Sequence, residues 1–455
     1  MSEYNYDVVI MGAGSGGYAT ALRSAQLGKK VALIEGDKIG GTCLHRGCIP
    51  TKALLHVAEV AEDVRSCEAI GIQASLNGFD TQRIAAFRDG TIKRLYRGLQ
   101  GLIKSRRIEV VTGWGRLTDA HTVTVEGVAY TGENIVLATG SYSKTLPGLT
   151  IEGRVITSEQ ALQLDWIPQR AAVLGGGVIG VEFASYWRSM GSEVTIIEGL
   201  PSLVPNEDSA IRKVLEKDFR KRGIAFHTGT FFESVTQDDS GVHIKAGEVS
   251  VDADLLLVAV GRGPQTANMG YEEVGVNMDR GFVLTDEQLR TNIPSVFAVG
   301  DIVPGVQLAH RGFAQGVFLA EKLAGLSPEP IRDSNIPKVT FCEPQIASVG
   351  LNQDQAEEQY GAQNVRVMEY NLAGNGKTQI LGGGGLIKLV AVNDGPIVGF
   401  HAIGSRVGEL VGEGQLMVNW EAYPDDLAAL VHAHPTQNEA IGEAAMALAG
   451  KPLHS

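Results

Sequence analysis

The sequence predicts an α/β protein: two three-layer nucleotide-binding units built on strands and helices, followed by a separate α+β domain. Three observations carry the prediction. A strand, a glycine turn and a helix occur twice with the same internal spacing. Three further apolar, strand-length runs end in glycine turns. From about residue 336 onward the pattern changes to antiparallel strands and amphipathic helices.

The first copy opens on a buried-strand signal at residues 6–11 and runs into Gly12-Ala13-Gly14-Ser15-Gly16-Gly17. The second opens at Ala172-Val173-Leu174 and runs into Gly175-Gly176-Gly177-Val178-Ile179-Gly180. In both, a glycine follows sixteen residues after the first (Gly28, Gly191). A second apolar strand comes next (31–34, 194–197), and an acid stands twenty-three residues after the first glycine (Glu35, Glu198). One Gly-x-Gly-x-x-Gly run is weak evidence; two with identical spacing are strong. The glycines permit a tight turn and close approach of the backbone to a pyrophosphate, and the helix N-terminus presents free N–H groups to the anion. Gly12, Gly14 and Gly17, and then Gly175, Gly177 and Gly180, are therefore expected to cradle two dinucleotides in Rossmann-like units, with Glu35 and Glu198 on ribose hydroxyls. A carboxylate repels a 2′-phosphate, and Glu198 is followed by Gly199 and Leu200 rather than by bases, so the second site should prefer NAD to NADP.

Between the copies, residues 51–107 are helix-rich and charged. Strand signals follow at 108–111 and 121–130, and Ile135-Val136-Leu137-Ala138-Thr139-Gly140 reads as a buried strand ending in a glycine turn. Its counterpart after the second copy is the apolar run 255–260 before Gly261 and Arg262. A third such element, Val296-Phe297-Ala298-Val299-Gly300-Asp301, places an acid where it can meet a ribityl or phosphate-linked hydroxyl. The division expected is 1–148 and 149–268 for the two nucleotide units, 269–335 completing the first, and 336–455 for the C-terminal domain.

Composition limits the function classes. A net charge of −13 gives a nucleic-acid role little support. The longest apolar runs are strand-length, so no membrane span is expected. The N-terminus enters a strand almost at once, leaving no room for a targeting peptide, and a cytoplasmic protein is expected. Four cysteines do not make a disulfide scaffold, so a disulfide here would be catalytic rather than structural. Cys67 and Cys342 are expected as small buried apolar residues.

Two constellations carry chemistry. Cys43 and Cys48 lie in Gly40-Gly41-Thr42-Cys43-Leu44-His45-Arg46-Gly47-Cys48-Ile49-Pro50-Thr51-Lys52. A regular helix would hold their Cα atoms roughly 8–9 Å apart, whereas a disulfide needs about 4.4–6.8 Å. A bridge would require a bent backbone, for which Gly47 and Pro50 give the means. The spacing alone fits two unlinked thiols equally well. Near the end stands His432-Ala433-His434-Pro435-Thr436-Gln437-Asn438-Glu439. Thr436 and Glu439 match a capping box, which would by itself explain the glutamate. The functional reading makes His434 a base held by Glu439. His432 reads as a structural neighbour, and with no third ligand nearby no metal site is expected.

Together these motifs resemble the flavin-dependent pyridine nucleotide–disulfide oxidoreductases over essentially the full chain. The resemblance is to members that oxidise dihydrolipoamide with NAD+, and it implies FAD and NAD as cofactors. It makes Cys43 the thiol that meets substrate and Cys48 the thiol that faces the flavin. It makes His434, oriented by Glu439, the base, and Lys52 with Glu182 an ion pair near the flavin. Thr42, Gly115, Thr139, Gly140, Asp301 and the run Leu308, Ala309, His310 match FAD contacts, and Gly261 matches the nicotinamide-nucleotide side. In this family the base comes from the other subunit, which implies a homodimer formed through the C-terminal domain. The implied partner is the lipoyl domain of an E2 acyltransferase, with the glycine cleavage lipoyl carrier as an alternative. No lipoyl domain is recognised in the sequence. His45-Arg46 replaces the usual asparagine-containing pair, Thr51 stands where serine is common, and Gln437-Asn438 also departs from the usual pattern. A glutathione-reducing relative would use NADPH, against which Glu198 argues. A mercuric reductase would carry a C-terminal cysteine pair, and a transhydrogenase would need no dithiol. A flavoprotein with a mainly docking role would leave the coincidence of Cys43, Cys48, His434 and Glu439 unexplained.

Overall fold

The computed structural model describes residues 4–454. Strand Tyr6–Met11, whose Val8, Val9 and Ile10 are fully buried, forms the centre of the first sheet because layers cover both of its faces. It runs parallel to Val31–Glu35 on one side and to Val128–Leu137 on the other. Glu109–Thr112 extends the sheet at one edge and Val296–Ala298 at the other, both parallel. The second sheet repeats the plan. Arg170–Leu174 lies between Glu193–Ile197 and Leu255–Val258, with Ile224–His227 and Val155–Thr157 outside them, all parallel. In both sheets the glycine loop follows the central strand, where the strand order reverses and where ligands of such sheets bind.

Each sheet carries a three-stranded antiparallel appendage. In the second unit it is Phe232–Asp238, Gly241–Ala246 and Val249–Ala253. In the first it is Arg116–Asp119, Thr122–Val125 and the start of Val128–Leu137. Here the structure departs from the expected single strand over 121–130. Glu126 and Gly127, with φ of 48° and 82°, make a two-residue hairpin turn, and the second arm runs unbroken into the buried strand that ends at Leu137.

The C-terminal domain is a five-stranded antiparallel sheet in the order Lys338–Thr340, Gln345–Gly350, Ile397–Gly404, Gly385–Val392, Val365–Asn371. Helices Val411–Asn419 and Glu439–Leu448 supply Met417, Ala440, Ile441 and Ala444 to the core formed with Phe400 and Leu389. Another core joins the units. It contains Leu54 from helix Cys48–Ser66, Phe183 and Trp187 from helix Val178–Ser189, and Ile346 and Ile403 from the C-terminal sheet.

A buried ion pair adds to that junction. Lys388, only 1 % exposed, donates to Asp208 Oδ1 at 3.0 Å and to Gln353 Oε1 at 2.8 Å. Asp208 caps helix Ser209–Lys221 through Ala210 N. Burial alone would raise its carboxyl, but the N–H of Ala210, the Lys388 ammonium and the N–H of Gln353 together hold it below its ordinary value. Lys388→Met leaves that carboxylate buried without its cation. It should cost about 3–5 kcal/mol, read as a clear fall in melting temperature; an unchanged melt would show that the pair is dispensable.

Candidate active site

The two glycine loops have the same geometry. Gly12 and Gly175 adopt φ of 97° and 109°, and a Cβ on either would lie 2.3 or 2.4 Å from a carbonyl oxygen, of Ala138 or Ala259. A Cβ on Gly17 or Gly180 would lie 1.8 or 1.9 Å from the oxygen of Gly12 or Gly175. These four positions exclude any side chain. The middle glycines differ: nothing stands within 4 Å of a Cβ on Gly14 or Gly177, so open space faces the loop there. Helices Ser15–Gln26 and Val178–Ser189 begin at these residues without a side-chain cap, leaving first-turn N–H groups for an anion. Glu35 accepts from Ala13 N at 2.7 Å and Asp37 N at 2.8 Å; Glu198 accepts from Gly176 N at 2.5 Å and Leu200 N at 2.7 Å. Each acid is thus fixed against its own loop. Open space, free N–H groups and a positioned carboxylate fit a dinucleotide at each loop.

The cysteine segment rests on the first loop. Gly40 N donates to Ala13 O at 2.8 Å, and a Cβ on Gly41 would lie 2.7 Å from Gly14 Cα. The short helix Gly41–Arg46, carrying Thr42 and Cys43, ends at Gly47, and helix Cys48–Ser66 starts immediately after it. This break is the bend that the spacing demands. It brings the Cα atoms of Cys43 and Cys48 to 4.6 Å, and the two are disulfide-bonded. A Cβ on Gly47 would approach Thr42 O to 3.1 Å. Pro50 falls in the first helical turn, where its missing N–H costs nothing. His45 Nε2 lies 2.8 Å from Ile39 O, and Arg46, 41 % exposed, is ion-paired with Asp37 at 2.5 Å.

One turn beyond Cys48, Lys52 Nζ donates to both oxygens of the buried Glu182, at 2.8 and 2.7 Å. Glu182 Oε1 also accepts from Phe341 N at 2.9 Å, and Lys52 Nζ lies 4.9 Å from the Phe341 ring centroid. Ser141, following Thr139 and Gly140, donates to Asp301 Oδ2 at 2.5 Å, while Arg262 Nε donates to Ser141 Oγ at 2.8 Å. Thr139 Oγ1 donates to Gln265 O and lies 3.0 Å from the buried Tyr271 hydroxyl, whose pKa burial raises strongly. Leu308 and Ala309 begin helix Ala309–Leu323, and His310 Nε2 lies 2.6 Å from Pro337 O. Gly115 lies close beneath Ile34 and Val123, and Gly261 takes φ of 107° after strand Leu255–Val258.

His434 and Glu439 are paired, with Nδ1 2.8 Å from Oε1. Only half of the expected capping box forms. Glu439 Oε2 accepts from Thr436 N at 2.7 Å, but Thr436 Oγ1 donates back to Ala433 O, and the helix begins only at Glu439 itself. The His434 side chain is 80 % exposed, so its ring faces outward. His432 is instead packed inside, 2.9 Å from Glu413, which raises its pKa. Cys342 is buried as expected; Cys67 is only half-buried, with its thiol directed to Val64 O. Among the described residues no metal-binding cluster occurs, and no helix is long and apolar enough to cross a membrane.

Phe341, Tyr271, Ser141 and Arg262 are site residues that the sequence reading missed. Only Arg262 carried a signal, its place beside the glycine turn at Gly261.

The family model for pyridine nucleotide-disulphide oxidoreductases matches residues 6–316, and the dimerisation-domain model of that family matches 336–445. The chain is 36 % identical to a dihydrolipoyl dehydrogenase of Bacillus subtilis, covering 99 % of both chains. It is 37 % identical to dihydrolipoyl dehydrogenase 1, mitochondrial, of Arabidopsis thaliana, covering 98 % of this chain and 91 % of that one. Among solved structures it resembles LpdA of Mycobacterium tuberculosis, with TM-score 0.90, 25 % identity and coverage of 97 % and 99 %. It also resembles the HOCl-induced flavoprotein disulfide reductase RclA of Escherichia coli, with TM-score 0.86 and 26 % identity over 97 % of this chain and 99 % of that one.

The N–H of Thr436 holds the Glu439 carboxyl below its ordinary value; burial opposes it, and the His434 ring adds a smaller lowering effect. A group whose folded pKa is depressed stabilises above its unfolded value, and that contribution is lost as pH falls through the folded one. The melting temperature of the unmodified protein should therefore exceed that of Glu439→Gln at neutral pH. The gap should close as the pH falls below about 4, the unperturbed carboxylate range. A gap independent of pH would contradict the assignment.

Proposed function

The chain belongs to the pyridine nucleotide–disulphide oxidoreductases, and from that premise we propose that it reoxidises protein-bound dihydrolipoamide with NAD+, the dihydrolipoyl dehydrogenase reaction. The observation that carries this reading is the Cys43–Cys48 disulfide seated against the first of two dinucleotide loops. The substrate carrier is a lipoyl domain, that of an E2 acyltransferase or of the glycine cleavage system, in the cytoplasm.

The residues divide the work as follows. His434 takes a proton from one thiol of dihydrolipoamide, Glu439 fixing the tautomer and stabilising the charge gained. The substrate thiolate attacks Cys43 Sγ, and the Cys43–Cys48 bond breaks with its electron pair on Cys48. The second substrate thiol attacks the mixed disulfide and displaces Cys43, its proton passing to the departing Cys43 Sγ; lipoamide leaves as a disulfide and the protein pair holds two electrons. The redox chemistry that joins this reduced pair to NAD+ would be supplied by bound FAD. The balance is dihydrolipoamide plus NAD+ to lipoamide, NADH and one proton.

Gly12, Gly14, Gly17 and Glu35 would hold the FAD pyrophosphate and ribose, with Thr42, Gly115, Thr139, Gly140, Asp301 and the residues from Leu308 to His310 along the rest of the cofactor. Lys52, locked on Glu182, would keep a fixed cation beside its ring. Gly175, Gly177, Gly180, Glu198 and Gly261 would take NAD. His434 projects outward on a domain matching the dimerisation model, which supports a homodimer in which each copy lends its histidine to the other's disulfide.

Steady-state kinetics test the reading directly. Dihydrolipoamide with NAD+ should far outpace glutathione disulfide with NADPH, and the reverse order would sink it. Cys48→Ser should keep FAD yet lose lipoamide turnover; unchanged turnover would rule out the dithiol route. His434→Gln should slow dihydrolipoamide oxidation by about a hundredfold or more, and a loss under threefold would leave His434 a structural role only.

A further inference from the structure

Exposed aromatic residues occur on most protein surfaces and need no explanation singly. Two of them here occupy equivalent places in the two nucleotide units. Trp114 is 68 % exposed and Phe231 72 % exposed. Trp114 lies just beyond the edge strand Glu109–Thr112, and Phe231 just beyond Ile224–His227, the corresponding strand of the second sheet. The residue before each ring donates its N–H to the carbonyl of the unit's ribose acid: Gly113 N to Glu35 O at 2.9 Å, and Thr230 N to Glu198 O at 2.9 Å.

Each ring also lies on the glycine that follows that acid. A Cβ on Gly36 would strike the indole of Trp114 at Cδ2, Cε2 and Cε3, within 2.6–2.9 Å. A Cβ on Gly199 would stand 3.2 Å from Cδ1 and Cε1 of Phe231. Both rings therefore pack on the backbone beside the acid while most of their area stays open to solvent. An adenine is joined to the ribose whose hydroxyls the acid would hold, so its reach from Glu35 or Glu198 covers this same ground. A flat apolar ring fixed there is suited to a flat base.

We propose that Trp114 and Phe231 are the adenine platforms of the two sites, Trp114 for FAD and Phe231 for NAD. This rests on the assignment of the two loops to those cofactors made above. The platforms would supply affinity through contact with the base, while each acid reads the ribose. Neither ring takes part in electron transfer.

Calorimetry on the FAD-loaded protein tests Phe231 with NAD+, 5′-AMP and nicotinamide mononucleotide. Phe231→Ala should weaken NAD+ and AMP by about tenfold and leave the mononucleotide, which lacks adenine, unchanged. Phe231→Trp should retain or tighten both adenine ligands. For Trp114, protein stripped of flavin is titrated with FAD and with FMN, following flavin fluorescence. Trp114→Ala should weaken FAD by about tenfold, spare FMN, and leave NAD+ binding at saturating FAD untouched. Changes under twofold in the adenine ligands, or equal losses with the ligands that lack adenine, would overturn the platforms. The two failures separate cleanly. Absence of NAD+ or FAD binding in the unmodified protein removes the loop assignment and the platforms together. Normal binding that the variants do not alter removes the platforms alone.

Discussion

A carboxylate taken out of water has to be neutralised where it lies, and Glu182 sets that requirement at the centre of the molecule. It sits on the helix that follows the second glycine loop, buried, and its charge is met by Lys52 from the cysteine helix and by Phe341 N from the start of the C-terminal domain. Each partner comes from a different stretch of chain, so the group is satisfied only when all three have assembled. Burying such a charge without them would cost several kcal/mol. The apolar cluster around Leu54, Trp187 and Ile346 gathers the same three stretches. The orientation of the cysteine helix towards both nucleotide loops follows from this junction.

Sequence made legible whatever is decided within a short span. The paired glycine loops could be read because their spacing answers to a local steric fact: no side chain fits between Gly17 and the carbonyl of Gly12, nor at the matching place in the second copy. The need for a bend between Cys43 and Cys48 could be read from helix geometry, though whether a bond formed could not. Contacts between distant parts of the chain were invisible. Nothing near Lys388 announces Asp208, 180 residues away, and nothing near Tyr271 announces Thr139, 132 residues away. The hairpin at Glu126 and Gly127 was missed because both arms are rich in β-branched and aromatic residues and read as one run. The capping box at Thr436 misled for a related reason: the threonine hydroxyl has a second acceptor in Ala433 O, and a pattern of residue types does not say which partner wins.

His432 and His434 show how two identical side chains two positions apart acquire different characters. His432 lies against Glu413, itself bonded to Asn438, and is held as a structural link between helix Val411–Asn419 and the turn before the last helix. His434 is anchored at Nδ1 alone, leaving Nε2 free and the ring in the open. The side chain of His432 is 12 % exposed and that of His434 80 %, so one turns inward and the other outward. The second nitrogen of His432 is shut against Gly442, where a Cβ would lie 2.6 Å from Nδ1, whereas that of His434 is open to a proton donor.

The contact of Gly40 and Gly41 with Ala13 and Gly14 carries a thermodynamic corollary. The thiol-bearing helix and the loop that would receive the flavin nucleotide touch through backbone alone, with no side chain between them to absorb a shift. Ligand occupancy and oxidation state of the cysteine pair are then linked functions. If the bound nucleotide favours the disulfide over the dithiol by some factor, oxidation of the pair tightens the nucleotide by that same factor. The midpoint potential of Cys43 and Cys48 is to that extent a property of the loop beneath them as much as of the sulfur atoms.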